Sequence, residues 1–171
     1  EVVHGDAFEY LPPEPVDVVI CEMIHVGMLR EKQVEVINAF KARYRARFGD
    51  RLPVFIPTAA VMAVQPLQQT YDFFGFQAPS MQFQRVGAVH EGSVELAAPQ
   101  VYSVLDFDDS VSPDICWAGR FTMEQDGTVN ALRFVTKNIL AIRAAEGDTV
   151  DWLNDYLVLP LDAPVSLKAG E

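Results

Sequence analysis

The sequence has little positive charge. It contains 13 Lys and Arg residues against 24 Asp and Glu residues, which gives a formal net charge of −11 over 171 residues. Binding to nucleic-acid phosphates needs clustered Lys and Arg, so no nucleic-acid partner is expected. The surface is better suited to a basic protein or a small cation. The other interpretation is that the acidity only keeps the protein in solution.

Cysteine and histidine are also scarce. Cys21 and Cys116 lie far apart in apolar contexts, which predicts buried thiols rather than a disulfide or a metal pair. His4, His25 and His90 show no metal-ligand spacing, so no metal is expected. No apolar run is long enough to span a bilayer and no signal peptide is visible. We therefore expect a cytoplasmic protein with no membrane partner.

The first third of the chain shows an α/β pattern. The apolar run Val16–Ile20 predicts a fully buried strand of a parallel sheet, and Glu1–His4 predicts a shorter strand before it. A helix is predicted from about Leu29 to Phe48, because apolar residues recur there at every fourth position. Gly49 is expected to end this helix, and Leu52–Ile56 predicts one further strand.

The remaining chain is typical of an antiparallel sandwich or barrel. Short strand-like runs are separated by turn residues; they are Val101–Phe107, Ile115–Met123, Ala131–Ile142, Tyr156–Leu161 and Val165–Lys168. Glu124–Thr128 (EQDGT) predicts a hairpin turn. The aromatic segment Tyr71–Gln84 is either part of the core, which we favour, or a dimer contact. The predicted fold is thus α/β followed by all-β.

Two carboxylates stand where the first predicted strand meets the helix. Glu22 follows the strand Val16–Ile20, and Glu31 lies nine residues further on. Open α/β sheets bind ligands at this end of their strands. An apolar strand rarely ends in a carboxylate without a function, whereas Glu31 is also a normal residue for the first turn of a helix. The pair predicts a pincer for a cationic group.

This arrangement resembles the protein arginine methyltransferase family. In that family a strand ends in Glu, and a second Glu stands nine residues later in the double-E loop, as Glu22 and Glu31 do in CEMIHVGMLRE. A helix, a strand ending at a proline like Pro57 and a β-barrel follow. Late in the barrel the family has a Thr-His-Trp loop, which Thr149–Trp152 (TVDW) matches most closely.

The resemblance implies a domain division and a set of site residues. Residues 1–57 would be the C-terminal part of a Rossmann-like methyltransferase domain, and residues 58–171 a β-barrel-like substrate domain. Glu22 and Glu31 would be catalytic and would hold a guanidinium group. The substrate-binding residues would be Asp151, Trp152, His25 and Met28. S-adenosylmethionine would be bound by Asp6, Ala7 and Glu22.

Several residues depart from the family pattern. Asp151 stands where the family has histidine, and the sequence has no Gly-x-Gly, the motif expected for binding S-adenosylmethionine in this fold. By the resemblance, the chain begins about two strands late and stops where the barrel continues. We expect a fragment that binds the cofactor poorly by itself, and that forms a homodimer through exposed sheet edges.

Three functions are compatible with these observations. The first is an arginine-type methyltransferase with a protein or small cationic substrate. The second is a methyltransferase of the same build for another small molecule or protein side chain, which Asp151 favours. The third is a non-catalytic binding or oligomerisation module. Asp6 has an alternative role as a cap of the turn Ala7–Tyr10, and His25 as an exposed loop residue.

Overall fold

The computed structural model describes residues 1–143 and 145–171. Its elements in chain order are β1 (Val18–Ile20), a 3-10 turn (Val26–Met28), α1 (Gln33–Phe48), β2 (Val54–Ile56), β3 (Ala59–Gln69), β4 (Asp72–Phe73), β5 (Phe76–Gln77), β6 (Gln82–Gln84), β7 (Ser93–Glu95), β8 (Gln100–Asp106), β9 (Gly127–Arg143), β10 (Asp148–Leu153) and β11 (Tyr156–Leu167). A short α/β unit is therefore followed by an antiparallel β region.

The α/β unit is a two-stranded parallel sheet covered by α1. Strands β1 and β2 pair in register from Val18↔Val54 to Ile20↔Ile56. The parallel pairing confirms the prediction, but the expectation of a fully buried strand is wrong. The side chain of Val18 is 48% exposed and that of Ile20 is 75% exposed. The helix packs on only one face of the pair, so alternate side chains of β1 face outwards.

Helix α1 begins four residues later than predicted. Glu31 and Lys32 both have positive φ angles, of 65° and 55°, and this left-handed backbone cannot continue into an α-helix. The helix therefore starts at Gln33 and ends, as predicted, at Gly49. Its buried stripe includes Ile37, Phe40 and Tyr44, which pack beneath the parallel strand pair.

The large antiparallel sheet is organised around the 17-residue strand β9. Strand β9 pairs with β3, β10 and β11, while β8 and β7 pair with β3, and β6 pairs with β11. Because side chains alternate along a strand, β9 has two distinct faces. Leu132, Phe134, Thr136 and Asn138 lie on one face, and Arg133 lies on the other.

Four predictions about the strands were wrong. Residues 1–4 form no strand and are exposed. Residues 115–123 form no strand either; Pro113 precedes them, and Gly119 folds closely against the Trp117 ring. Without that strand Glu124–Thr128 makes no hairpin, and Gly127 instead begins β9. The two predicted C-terminal strands are one strand, β11, whose pairing shifts between Pro160 and Val165.

The aromatic segment Tyr71–Gln84 is largely on the surface, contrary to the favoured core interpretation. Tyr71 is buried, but Phe74 is fully exposed at the tip of the β4–β5 hairpin and Phe76 is 77% exposed. Phe74 and Gly75 have positive φ angles, which form the tight turn between the two strands. The turn projects the aromatic side chains outwards.

One core joins the α/β unit to the antiparallel sheet. Phe55 and the buried stripe of α1 pack with Met62 of β3 and Phe107, which follows β8. Lys41 crosses this boundary, because its buried ammonium group donates hydrogen bonds to the backbone carbonyls of Phe107 and Asp109. Burial lowers the pKa of Lys41 below its ordinary value. Asn38 adds a 2.6 Å hydrogen bond to the carbonyl oxygen of Val111.

The opposite face of β9 holds a buried polar network. The Arg133 guanidinium, 7% exposed, forms a salt bridge with Glu95 and donates to the side-chain oxygens of Gln84 at 3.0 Å and Gln65 at 3.2 Å. It also lies over the Tyr156 ring, 5.0 Å from the centroid. Each acceptor around this cation loses its donor if the guanidinium is removed.

We predict that Arg133→Met lowers the free energy of unfolding by about 3 kcal/mol, because it leaves a carboxylate and two amide oxygens without their buried partner. Arg43→Met is the matched control. Its salt bridge with Glu9 is exposed and should be worth less than about 1 kcal/mol. Urea unfolding followed by circular dichroism measures both changes, and equal losses would contradict the structural role of the network.

Candidate functional site

The loop between β1 and α1 has its two ends joined by a hydrogen bond. The buried side chain of Gln33, the first residue of α1, donates from Nε2 to the carbonyl oxygen of Cys21 at 3.4 Å. Glu22 directly follows one end of this bond and Glu31 precedes the other end by two residues. The contact therefore closes the loop and holds the backbone of both glutamates near its base.

Both glutamate side chains are exposed, and neither has an ionic partner among the residues that the structure describes. Glu22 and Glu31 are in the exposed class. Neither carboxylate takes part in any salt bridge between the residues that the structure describes. A carboxylate that ends a strand and has no protein partner is available to accept hydrogen bonds from a cationic ligand.

The second half of the loop has an unusual backbone. Four of its residues have positive φ angles: Gly27 at 68°, Met28 at 54°, Glu31 at 65° and Lys32 at 55°. A non-glycine residue in this conformation costs on the order of 1–3 kcal/mol, and the surrounding structure has to compensate for it. Such strain is concentrated at functional sites, and here it includes Glu31, one of the two predicted catalytic residues.

The antiparallel sheet anchors the middle of the loop. The backbone N–H of Gly27 donates a 2.7 Å hydrogen bond to Oγ1 of Thr136, which is fully buried on β9. The His25 ring meets the Phe83 ring edge-on, with centroids 6.3 Å apart, and its Nδ1 lies 2.8 Å from the carbonyl oxygen of Val26. His25 and Met28 thus belong to a loop that rests against β9 and β6.

Strand β10 brings Trp152 to the same face of the sheet. Trp152 is paired with Asn138, two residues from Thr136, and a side chain and its direct cross-strand partner share a face. The Trp152 ring is half-exposed, while Asn138 donates from Nδ2 to Oδ1 of Asn154 at 2.6 Å. Trp152 is therefore placed near the sheet position that holds the loop.

Asp151 points elsewhere. Its carboxylate forms a 2.9 Å salt bridge with Lys137, a neighbour of Thr136 whose side chain is on the other face of β9. The hydrogen bond from Lys137 holds the pKa of Asp151 below its ordinary value. This side chain is charged and already paired with a cation.

A cleft adjoins Glu22 and is lined by residues of β1 and α1. It has a volume of about 360 Å³, and its walls include Ala7, Val18, Ile20 and Glu22. Two of the three residues predicted to bind a cofactor therefore line one cleft. The third, Asp6, uses its Oδ1 to accept a 2.9 Å hydrogen bond from the backbone N–H of Phe8, which is the capping role described above.

The negative charge of Glu22 contributes to a raised pKa of the Cys21 thiol. Burial, followed by the negative charge of Glu22, raises the pKa of Cys21 from 9.0 to about 11. The buried thiol agrees with the prediction, whereas Cys116 is exposed and contradicts it. Cys116 lies in the irregular segment that was expected to be a strand.

Two residues of this site were missed by the sequence analysis. Thr136 lies 109 positions from Gly27 in the chain, and no local pattern marks a threonine in a strand as an anchor for a loop. Gln33 had a detectable signal, since a polar residue at an otherwise apolar position of a helix needs a partner. The role of Thr136, and the identity of the partner of Gln33, depend on which elements pack together.

The described ranges give no indication of a metal centre or of a membrane-spanning helix. No group of three or more His, Cys, Asp or Glu side chains there could hold a metal ion. No helix in those ranges is long and apolar enough to cross a membrane.

Solved structures with this architecture include protein arginine methyltransferases. The chain matches the Trypanosoma brucei PRMT1 enzyme–prozyme heterotetrameric complex with AdoHcy at a TM-score of 0.66 and 17% identity. It matches Arabidopsis thaliana protein arginine methyltransferase 10 at a TM-score of 0.70 and 13% identity. In both cases 99% of this chain is covered. The chain therefore has the fold of the corresponding part of these enzymes, and the expected α/β unit followed by an antiparallel β region is confirmed.

Sequence comparison finds one further similar protein. The chain is 24% identical over 165 residues to the uncharacterized protein MJ1452 of Methanocaldococcus jannaschii, which covers 96% of this chain and 58% of that protein. No protein-family model matches the sequence. The chain spans about 60% of the length of these similar proteins, since it covers 59% and 62% of the two methyltransferase chains.

The pKa of Cys21 gives a test of the electrostatics at Glu22. In a Cys116→Ser background, the folded protein at pH 9 should contain about 50-fold less Cys21 thiolate than the unfolded chain, and alkylation by iodoacetamide should slow accordingly. Glu22→Gln should increase the alkylation rate, because it removes a negative charge beside the thiol. Because the pKa of Cys21 is higher in the folded protein than in the unfolded chain, the free energy of unfolding should decrease as the pH rises from 9 towards 11. An unchanged rate in the Glu22 variant would contradict this electrostatic coupling.

Proposed function

We propose that this chain is part of an S-adenosylmethionine-dependent methyltransferase that resembles protein arginine methyltransferases and holds a guanidinium group between Glu22 and Glu31. The observation that carries the proposal is the hydrogen bond from Gln33 to Cys21, which closes the loop at whose ends the two carboxylates lie. The methyltransferase-like fold supports it.

The two carboxylates would bind the substrate by charge-assisted hydrogen bonds. A guanidinium group carries five N–H donors in one plane, and two carboxylates can each accept a pair of them. Glu22 and Glu31 are both exposed and form no salt bridge with the residues that the structure describes. No protein cation has to be displaced before the substrate binds.

Catalysis by this site would be mainly orientation of the substrate. A guanidinium held from two sides keeps one terminal nitrogen fixed in direction, and fixed geometry can supply several kcal/mol of a reaction barrier. One of the two carboxylates would take the proton released from the methylated nitrogen. The left-handed backbone at Glu31 and Lys32 keeps the second carboxylate out of the helix and available for this role.

The cleft beside Glu22 fits part of the cofactor. Its apolar wall, including Val18 and Ile20, is suited to a flat aromatic base, and Ala7 leaves space at the rim. We propose that Ala7, Glu22 and the neighbouring Asp6 hold this part of S-adenosylmethionine, which when bound supplies an electrophilic methyl group. The sequence contributes no Gly-x-Gly turn to the site.

Other predicted residues would complete the substrate side. We propose that Trp152, Met28 and His25 pack beside the bound side chain. Asp151 would act through its salt bridge with Lys137. The presence of Asp151 in place of the family histidine favours the second candidate function, a methyltransferase of the same build for another small molecule or protein side chain. We also propose that residues 1–57 and residues 58–171 form two domains, and that the protein is cytoplasmic.

Guanidinium binding can be tested without cofactor. We predict that Nα-acetyl-arginine amide binds the wild-type chain and that Glu22→Gln and Glu31→Gln each weaken binding about tenfold, because each removes a charge-assisted interaction. Calorimetric titration measures the affinities, and circular dichroism confirms that the variants are folded. Glu14→Gln, which removes an exposed carboxylate of the Pro-rich turn, is the control. Equal losses in all three variants, or in none, would rule out the two-glutamate pocket.

We also propose that the chain forms a homodimer through the β4–β5 hairpin. Phe73, Phe74 and Phe76 are 44%, 104% and 77% exposed and lie next to one another. Clustered exposed aromatic side chains are typical of protein interfaces rather than of free surface. A second copy of the chain would bury them.

The double variant Phe74→Ser/Phe76→Ser should convert the dimer to a monomer, because it removes the apolar tip of the hairpin. Light scattering after size-exclusion chromatography at tens of micromolar measures the mass. Val104→Thr is the control, since Val104 is also exposed (61%) but lies on β8. A wild-type chain that is already monomeric at this concentration would refute the proposal.

A further inference from the structure

A cavity separate from the cleft beside Glu22 lies behind the loop. It has a volume of about 450 Å³ and is enclosed by the loop residues 27–29, the start of α1, strands β3, β8 and β9, and the irregular segment 113–121. Neither Glu22 nor Glu31 lines it. Met28 is shared with the proposed substrate site, and the other residues of the wall have no role in that site.

Aromatic rings form much of the wall. The rings of Tyr102 and Phe134 are nearly perpendicular, at 83°, with centroids 6.1 Å apart. The Trp117 ring is tilted by 57° to that of Tyr102 at 6.5 Å, and Phe121 lies 6.2 Å from Trp117. Rings set at steep angles around a space present both faces and edges to it. Aromatic faces attract cations, and quaternary ammonium groups are recognised in this way.

The charge on the cavity wall is negative. Glu35, in the first turn of α1, is the charged residue among those that line the cavity, and its side chain is exposed. It forms none of the salt bridges in the described part of the chain. The described residues that line the cavity include no Lys or Arg to compete with a bound cation.

A close backbone contact fixes one ring. A Cβ atom at Gly119 would overlap the six-membered ring of Trp117, so only glycine allows this ring to fold over the chain. The backbone of Gly119 lies outside the left-handed region, so the requirement is one of space and not of φ. The hydroxyl of Tyr102, whose pKa is raised by burial, lies beside Gly27 at the loop.

We propose that this cavity binds a small organic cation with a quaternary ammonium group, held against Tyr102, Trp117 and Phe134 and neutralised by Glu35. The angled rings solvate the methyl groups of such a cation, and the carboxylate supplies the opposite charge. An apolar ligand would leave Glu35 unused, and a metal ion would find too few oxygen ligands on this wall.

Choline and its uncharged isostere 3,3-dimethylbutan-1-ol test the proposal. In a Trp152→Phe background Trp117 is the remaining tryptophan, so its fluorescence reports on the cavity. We expect a saturable change with choline. The neutral isostere should bind at least about fivefold more weakly, because it lacks the attraction between cation and ring.

Two variants test separately how the carboxylate and the Trp117 ring contribute to choline binding. Glu35→Gln and Gly119→Ala should each weaken choline binding about fivefold or more, the second because it displaces the Trp117 ring. Asp50→Asn removes one carboxylate beyond the far end of the same 16-residue helix, about 24 Å away. It should leave the affinity unchanged within twofold.

Three results would overturn the proposal. They are no saturation with choline up to about 50 mM, equal affinity for the neutral isostere, and unchanged affinity in both the Glu35 and Gly119 variants. Line broadening of the choline N-methyl protons in NMR provides an independent measurement for the Gly119 variant, in which the fluorescence of Trp117 itself changes. Circular dichroism shows that each variant retains its fold.

Discussion

Burial of the apolar stripe of α1 is the constraint on which the rest of this structure depends. The stripe covers β1 and β2 on one side and meets β3 and the end of β8 on the other, so one helix completes two cores. Because apolar burial is not directional, it does not fix the position of the helix along the sheet. This position is fixed by the hydrogen bonds from Lys41 and Asn38 to the carbonyl oxygens that follow β8.

This arrangement explains why the loop can tolerate strain. Its start is fixed by β1, its end by α1, and its middle by Gly27 on Thr136. With all three points held by packed elements, the left-handed conformations at Glu31 and Lys32 are imposed on the chain. A loop with fewer anchors would relax into a longer helix, and Glu31 would turn into the first helical turn.

The sequence predicted those features that depend on neighbouring residues. Alternation and glycine position located β9 and the end of α1, because periodicity and caps are local properties. The start of α1 and the segment 115–123 were mispredicted, since left-handed residues and the fold of Trp117 over Gly119 depend on tertiary contacts. In the candidate site the two glutamates follow from a local motif. Thr136 and the partners of Gln33 and Asp151 follow from packing alone.

The position of β9 at the centre of the sheet limits how this chain can change in length. Each residue added to a strand reverses the faces of all residues beyond it. A single insertion between Arg133 and Thr136 would turn Thr136 away from the loop, and Asn138 with it. Insertions are tolerated where no pairing register has to be kept, as in the segment 108–126 that precedes β9. We therefore expect related chains to differ in length in that segment, and to keep β9 uninterrupted from Arg133 to Asn138.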